Sequence, residues 1–399
     1  MRITVLCADL GIRVPGDKGA SIHLQAITRA LAGVGHSVQL VAVGGHEPPP
    51  AGLLAAVEDL VLLPHPGRCE GLARERQKLT FNAHLLAMVS DRVAQFRPEI
   101  LYERLSLFGT SGLHLARTTG ARHVLEINAL LAREDAAWRG LHLRALADEL
   151  EARVLRGADL RLAVSQEVAA QVRSVAPDQR TAVVPNGVDT TPFDRLPSSA
   201  DARRPFGLPD ASRIALFIGA LRPWHGVDVA IRAIGKLSAT DDVMLVIVGD
   251  GPVRDELEQL ALTEGVSERV RFLGQLDHDV IPAILAAADV ALAPYPALLD
   301  FSFSPLKLYE YLAAGVPIVA SNVGQIRDVL DAGRFGTLVT PGDVDELAAA
   351  IDSVSRQPES VRQAAAAGRA HALTSHRWHD RATMITTLIE AGRSHALAH

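Results

Sequence analysis

Ser302-Phe303-Ser304-Pro305-Leu306-Lys307-Leu308-Tyr309-Glu310-Tyr311-Leu312-Ala313-Ala314-Gly315-Val316-Pro317-Ile318-Val319-Ala320-Ser321 reads as a short helix, stopped at both ends, that runs straight into a buried strand. Ser304 suits the N-cap, Pro305 the first helical position and Gly315 the left-handed position after the last turn. Such a helix leaves the amides of Leu306 and Lys307 unpaired, with the positive end of the dipole behind them. That is a ready site for an anion. A cation in the first turn opposes the dipole by about 0.3–1 kcal/mol, so Lys307 suits a tip that receives negative charge. Glu310 falls on the same face as Leu306, one turn below, and leans back toward the N-terminus. A diphosphate at the tip and a carboxylate one turn down match the phosphates and ribose hydroxyls of a nucleotide. The alternative for this stretch alone is a surface helix in which Lys307 and Glu310 form a weak pair.

Working outward, 399 residues suggest two domains rather than one core. A chain that is 48% hydrophobic and 22% charged is globular and not disordered. With aromatics at 4%, the cores must be built mostly from Leu, Val, Ala and Ile. The net charge of −6 argues against a general nucleic-acid binder. Residues 1–190 carry a balance of +1 and the remainder −7, so the first half can rest against an anionic surface more easily. Cys7 and Cys69 cannot make a disulfide framework and read as reduced thiols of a cytoplasmic protein. The apolar run from Ile3 meets Asp9 too soon for a signal peptide, and no stretch is long enough to span a membrane, so membrane contact is expected to be peripheral.

Short β-rich runs alternate with longer amphipathic stretches throughout. They are Ile3–Ala8, Val38–Val43, Ile100–Glu103, His123–Ile127, Leu160–Val164 and Ala182–Val184. A second series follows: Ile214–Ile218, Val243–Val248, Val270–Leu273, Val290–Ala293, Val316–Ala320 and Gly336–Val339. Runs without polar alternation belong to strands covered on both faces, and alternation with helices implies parallel βαβ units. Two series imply two doubly wound α/β domains, with the seam in the Pro- and Ser-rich segment Pro192–Asp210. The expected division is residues 1–190, 191–375, and a closing C-terminal helix in 376–399.

The motifs resemble the retaining glycosyltransferases of family 4, and the resemblance covers nearly the whole chain. Asp17-Lys18-Gly19-Ala20-Ser21-Ile22-His23, then a helix and Gly35-His36-Ser37-Val38, is similar to the family's N-terminal glycine loop, first helix and second strand. Val184-Pro185-Asn186-Gly187-Val188-Asp189 resembles the segment ending the first domain. Gly219-Ala220-Leu221-Arg222-Pro223-Trp224-His225-Gly226 stands where the family has its basic loop. Val248-Gly249-Asp250-Gly251-Pro252 matches its Gly-x-Gly-Pro turn, Val270-Arg271-Phe272-Leu273-Gly274 the strand beside the base, and the opening segment its donor-binding helix. The resemblance implies the GT-B fold, two facing Rossmann-like domains with a central cleft. It also implies transfer of a sugar from a UDP- or GDP-sugar, with retention, to a glycan, lipid-linked or small-molecule acceptor. No metal or other cofactor is expected, since basic side chains and helix amides stabilise the departing diphosphate. Two other readings are a nucleotide-sugar epimerase of this architecture and an inactive sugar-nucleotide-binding subunit.

The same resemblance assigns roles. Glu310 would hold the ribose, and Ser304, Pro305, Leu306 and Lys307 the diphosphate, mainly through backbone. Gly219, Gly249, Gly251 and Pro252 would let the donor approach the backbone, and Phe272 and Leu273 would flank the base. Arg222, His225 and Glu310 form the expected catalytic set. The family's usual Arg and Lys in the basic loop are here Ala220 and His225, so Arg222 would supply the guanidinium and His225 a donor to phosphate. The second glutamate common in the family is replaced by Ser302, with Asp300 a candidate stand-in. On the N-terminal side Gly19 resembles the glycine that nears the donor phosphates. Lys18, His23, Glu103, Glu126 and Asn128 are the acceptor-side candidates, with buried structural hydrogen bonding as the alternative for each carboxylate. His123, Glu126 and Asn128 do not have zinc-ligand spacing. Arg68, Arg74, Arg76, Lys78, Trp138, Arg139 and Arg144 could form a basic face toward anionic lipid, with a solvated charged surface as the alternative.

Overall fold

The computed structural model describes residues 1–177, 181–297 and 304–396. It divides into two compact units, Met1–Asn186 with Ser302–Ser304 and Trp378–His399, and Gly187–Phe301 with Pro305–Arg377. The C-terminal helix, Trp378–Ala396, thus returns to the first unit, where it packs on the helix Gly19–Gly33.

The first unit is built on a parallel eight-stranded sheet of β1 (Arg2–Cys7), β2 (Arg13–Val14), β3 (Ser37–Gly44), β4 (Asp59–Leu63), β5 (Ile100–Arg104), β6 (Arg122–Ile127), β7 (Leu160–Ala163) and β8 (Thr181–Val183). The order runs β3-β1-β5-β6-β7-β8, with β2 and β4 both paired to β3. The second unit holds a parallel six-stranded sheet, β9 (Arg213–Ile218), β10 (Val243–Val248), β11 (Val270–Gly274), β12 (Val290–Ala293), β13 (Ile318–Ser321) and β14 (Thr337–Val339), in the order β11-β10-β9-β12-β13-β14. Each expected strand is present. Two were missed: β2 is two residues long, and β4 is a half-buried edge strand whose Asp-Leu-Val-Leu-Leu lacks clear alternation. The Pro- and Ser-rich seam is not a bare linker either. It holds the short helix Ser199–Arg203, and buried Arg203 donates to the carbonyls of Ala287, Pro209, Asp210 and Ser212 and to Asp289.

Both cores are aliphatic, as 4% aromatics requires. In the second unit β9 and β10 supply Ala215, Phe217, Leu245 and Ile247 to a cluster sealed by Val227, Ile231 and Ile234 of the helix Val227–Lys236. Chain order reverses beside β1 in one sheet and beside β9 in the other. Open parallel sheets bind ligands outside the strand ends at such points.

Candidate active site

In the second unit the reversal lies between β9 and β12, so the loop after β9 meets the segment after β12. The contact is close: a Cβ on Gly226, at φ +70°, would stand 1.7 Å from the Pro294 carbonyl oxygen. The helix that follows spans Leu306–Ala314, and Gly315 closes it at φ +71°. Tyr311 anchors it, accepting from the Ile218 amide at 3.1 Å and donating to the Leu292 carbonyl at 3.3 Å. One phenol thus ties the helix to both strands at the point where their order reverses. Sequence reasoning missed it, because an interior tyrosine on an apolar helix reads as plain core.

The cap differs from expectation. Pro305, with extended backbone at ψ 110°, is the N-cap and has no side-chain cap. Ser304 lies outside the helix, where its carbonyl accepts from Asn186 Nδ2 at 2.7 Å. Its hydroxyl is buried with no hydrogen-bond partner among the described residues. Leu308 donates back to Pro305 at 3.1 Å. Among the described residues the amides of Leu306 and Lys307 have no partner, which is the open tip that an anion needs.

Lys307 is 9% exposed, and its Nζ has no hydrogen-bond partner among the described residues. It sits 4.0 Å from the Phe217 ring centre and 5.5 Å from that of Tyr295. Burial pushes its ammonium down to about 7, against the pull of Glu310. Glu310 accepts from His278 Nε2 at 2.7 Å, a partner from the turn after β11 that the sequence did not indicate. Arg222 is half-buried with its guanidinium 5.8 Å from the Trp224 indole. His225 is a correction. Its Nδ1 must donate to the Ala220 carbonyl, which leaves a lone pair on Nε2. Burial first, then Lys307 and Arg222, push its pKa down to about 3. A neutral imidazole in this tautomer has its one N–H committed and meets a phosphate with a lone pair.

The glycine turns pack closely on one another. A Cβ on Gly249 would meet the Gly219 carbonyl oxygen at 2.0 Å, and one on Gly251 the Leu221 carbonyl oxygen at 2.1 Å. The side on which a Cβ would stand is filled by the neighbouring loop. At Gly219 the occupant is the Lys307 ammonium, 2.8 Å from the position of a Cβ. Pro252 is exposed on the turn. Phe272 packs partly against the core beneath the Arg254 guanidinium, 5.7 Å away, and Leu273 is half-buried. Ser302 and Asp300 lie outside the described residues.

In the first unit Lys18 is the N-cap residue, and Gly19 the first residue, of the Gly19–Gly33 helix. Lys18 Nζ donates to the Gly11 carbonyl at 3.4 Å. Glu126, 4% exposed, draws together His23 at 2.9 Å, Arg104 at 2.7 Å, Tyr102 and Asn128. Its burial raises the pKa, but His23, Arg104 and Tyr102 outweigh that and hold the carboxyl far below the usual range. Glu103 points the other way, as alternation along β5 demands. At 1% exposure it binds His123 Nε2 at 2.8 Å and the Gly112 amide at 3.2 Å, so it leaves the acceptor list. Arg104, at the reversal point of this sheet, ends β5 but carries no role of its own in the sequence reading. It stands near Asp9 at the end of β1, and Lys78 is 3.6 Å from Asp9. Of the expected basic face, Arg74 and Arg139 pair with Asp135, Arg139 with Glu134 and Arg144 with Asp148, while Arg68 and Arg76 are exposed. Among the described residues no group of three or more His, Cys, Asp or Glu is arranged to hold a metal, and no helix is long and apolar enough to cross a membrane.

Two doubly wound units, one with a helix tip open to an anion, define the GT-B class. Residues 198–371 match the family described as Glycosyl transferases group 1, and residues 18–192 match Glycosyltransferase Family 4. The chain belongs to glycosyltransferase family 4. It is 30% identical over 285 residues to a GDP-mannose-dependent alpha-(1-6)-phosphatidylinositol monomannoside mannosyltransferase of Mycolicibacterium smegmatis, covering 70% of this chain and 73% of the relative. It is 31% identical to an uncharacterized glycosyltransferase of Methanocaldococcus jannaschii over 48% of this chain, a match that spans only 50% of that relative's length. Sucrose-phosphate synthase from Thermosynechococcus elongatus superimposes with a TM-score of 0.79 at 20% identity, covering 100% of this chain and 99% of that one. HepE of Anabaena in complex with UDP and glucose gives 0.75 at 21% identity, covering 98% and 100%.

Proposed function

We propose that the protein is a retaining, metal-independent glycosyltransferase that moves a sugar from a UDP- or GDP-sugar to a glycan, glycolipid or small-molecule acceptor. The observation that carries this is the open tip of the Leu306–Ala314 helix, with unpaired amides at Leu306 and Lys307, the Arg222 loop nearby and Glu310 one turn down. Fixed amides and cations of this kind stabilise a departing diphosphate without reorganising. The name of one relative specifies GDP-mannose and one structural neighbour holds UDP, so both bases belong in the proposal. Glu126 with Arg104 and Asn128 gives the first unit a rigid polar floor suited to acceptor hydroxyls. The free thiols, Cys7 buried and Cys69 exposed, support a reducing cytoplasmic setting.

The test begins with thermal shifts against UDP, GDP and their sugars, since a bound ligand raises apparent stability by mass action. Acceptor panels follow, with release of nucleoside diphosphate and the anomeric configuration of the product as readouts. Glu310→Ala and Arg222→Ala are each expected to lower kcat/KM by about a hundredfold or more, and EDTA to change nothing. Turnover left intact in both variants would overturn the assignment. Acceptor-independent release of free nucleotide would point to an epimerase, and binding without turnover to an inactive subunit.

A further inference from the structure

Resting on the reading that the Leu306–Ala314 helix receives the donor's diphosphate, we propose that the Lys307 side chain is the cation that meets it in place of residue 225, and that the site takes up a proton as the diphosphate docks. Three basic side chains converge here: Arg222 and His225 from the loop after β9, and Lys307 from the helix. The segment after β12 contributes Tyr295, whose phenol burial pushes up and keeps neutral, and the helix itself contributes Tyr311, likewise neutral, and Glu310. Among the described residues Glu310 is the carboxylate acting on Lys307, and it already receives His278. Among the described residues the buried Lys307 ammonium thus has no hydrogen-bond partner and only a shared carboxylate for counter-charge.

Burial without full counter-charge favours the uncharged form of such groups. His225 is neutral, with its N–H on Ala220 and a bare lone pair that repels phosphate oxygens. Arg222 stays charged at any working pH and so exchanges no proton. Of these three, Lys307 sits near balance, its buried amine held at about 7. A side chain in the first helical turn sweeps back toward the helix N-terminus. The absence of a Cβ at Gly219 makes room for Nζ beneath the loop. A diphosphate at the tip supplies the missing negative charge and shifts the amine to ammonium. The proton comes from buffer, and no covalent bond changes.

The prediction is read by calorimetry of UDP and of GDP binding at about pH 8, in buffers of different ionisation enthalpy. The wild type should take up about half to one proton per diphosphate bound. Affinity should be level below about pH 7 and weaken up to about tenfold per pH unit above it, because the group's pKa is raised by the ligand. Lys307→Arg should bind with no uptake, since a guanidinium is charged throughout. His225→Gln should retain the uptake. Lys307→Met, an apolar fit to the slot between Phe217 and Tyr295, should weaken binding by about ten- to a hundredfold at about pH 6.5. Uptake that persists in Lys307→Arg, or wild-type affinity in a folded Lys307→Met, would overturn the inference. Absence of binding by either diphosphate to the wild type would instead defeat the underlying assignment of the site.

Discussion

At the scale of single residues, burial decides which ionisable groups can do chemistry. His225 and Lys307 both look like phosphate-binding bases in sequence, yet burial and neighbouring cations push the first far down and burial brings the second only to about 7. Glu126 shows the opposite outcome, a buried carboxylate kept ionised by the donors around it. Removing it leaves Arg104 buried without its partner, so Glu126→Ala should cost about 3–5 kcal/mol in urea unfolding. The sign with pH follows from a depressed carboxyl pKa. Its contribution is complete above the unfolded value of 4.5 and is lost as pH falls through the lower folded value. Between about pH 5 and 3 the wild type should therefore lose stability more steeply than Glu126→Gln. Parallel slopes would show that Glu126 is not held ionised.

At the scale of elements, close approach of backbone requires glycine at Gly249 and Gly251. Gly249 sits at φ +135° with the Gly219 carbonyl oxygen 2.0 Å from where a Cβ would go. Gly249→Ala should destabilise the second unit by more than about 3 kcal/mol, because backbone and not a flexible side chain must yield. Gly265, at φ +67° with nothing within 4 Å, is the control. There the same change should cost only about 1 kcal/mol, the conformational penalty alone. Equal losses in thermal unfolding would refute the crowding argument. The strands of the Rossmann order were legible because unbroken Val, Ile and Leu runs suit sheets covered on both faces. The cap of the Leu306–Ala314 helix was not, since Ser304 is drawn away by Asn186, which lies far off in sequence.

At the scale of the whole molecule, the chain's last helix belongs to its first unit. Trp378 meets the His23 ring edge-on at 4.9 Å, and with Arg381 and Ile385 it lines a cavity of about 10 Å³, roughly one water, beside Glu126 and Tyr102. Trp378→Ala should cost about 3–5 kcal/mol by emptying that contact. The loss should fall on the first unit, so the thermal shift produced by UDP or GDP in the second should survive. Loss of nucleotide binding with the first unit still folded would contradict this division of labour.

The residue pattern alone determined two doubly wound α/β units, the family motifs in order, and a helix tip with free amides, because these depend on local periodicity and neighbours a few positions apart. Only tertiary structure decided that Glu103 turns inward while Arg104 turns to Glu126, that Glu310 is met by His278, and that His225 is neutral beside a buried Lys307. Those outcomes depend on desolvation and on partners dozens of residues away, which periodicity does not encode.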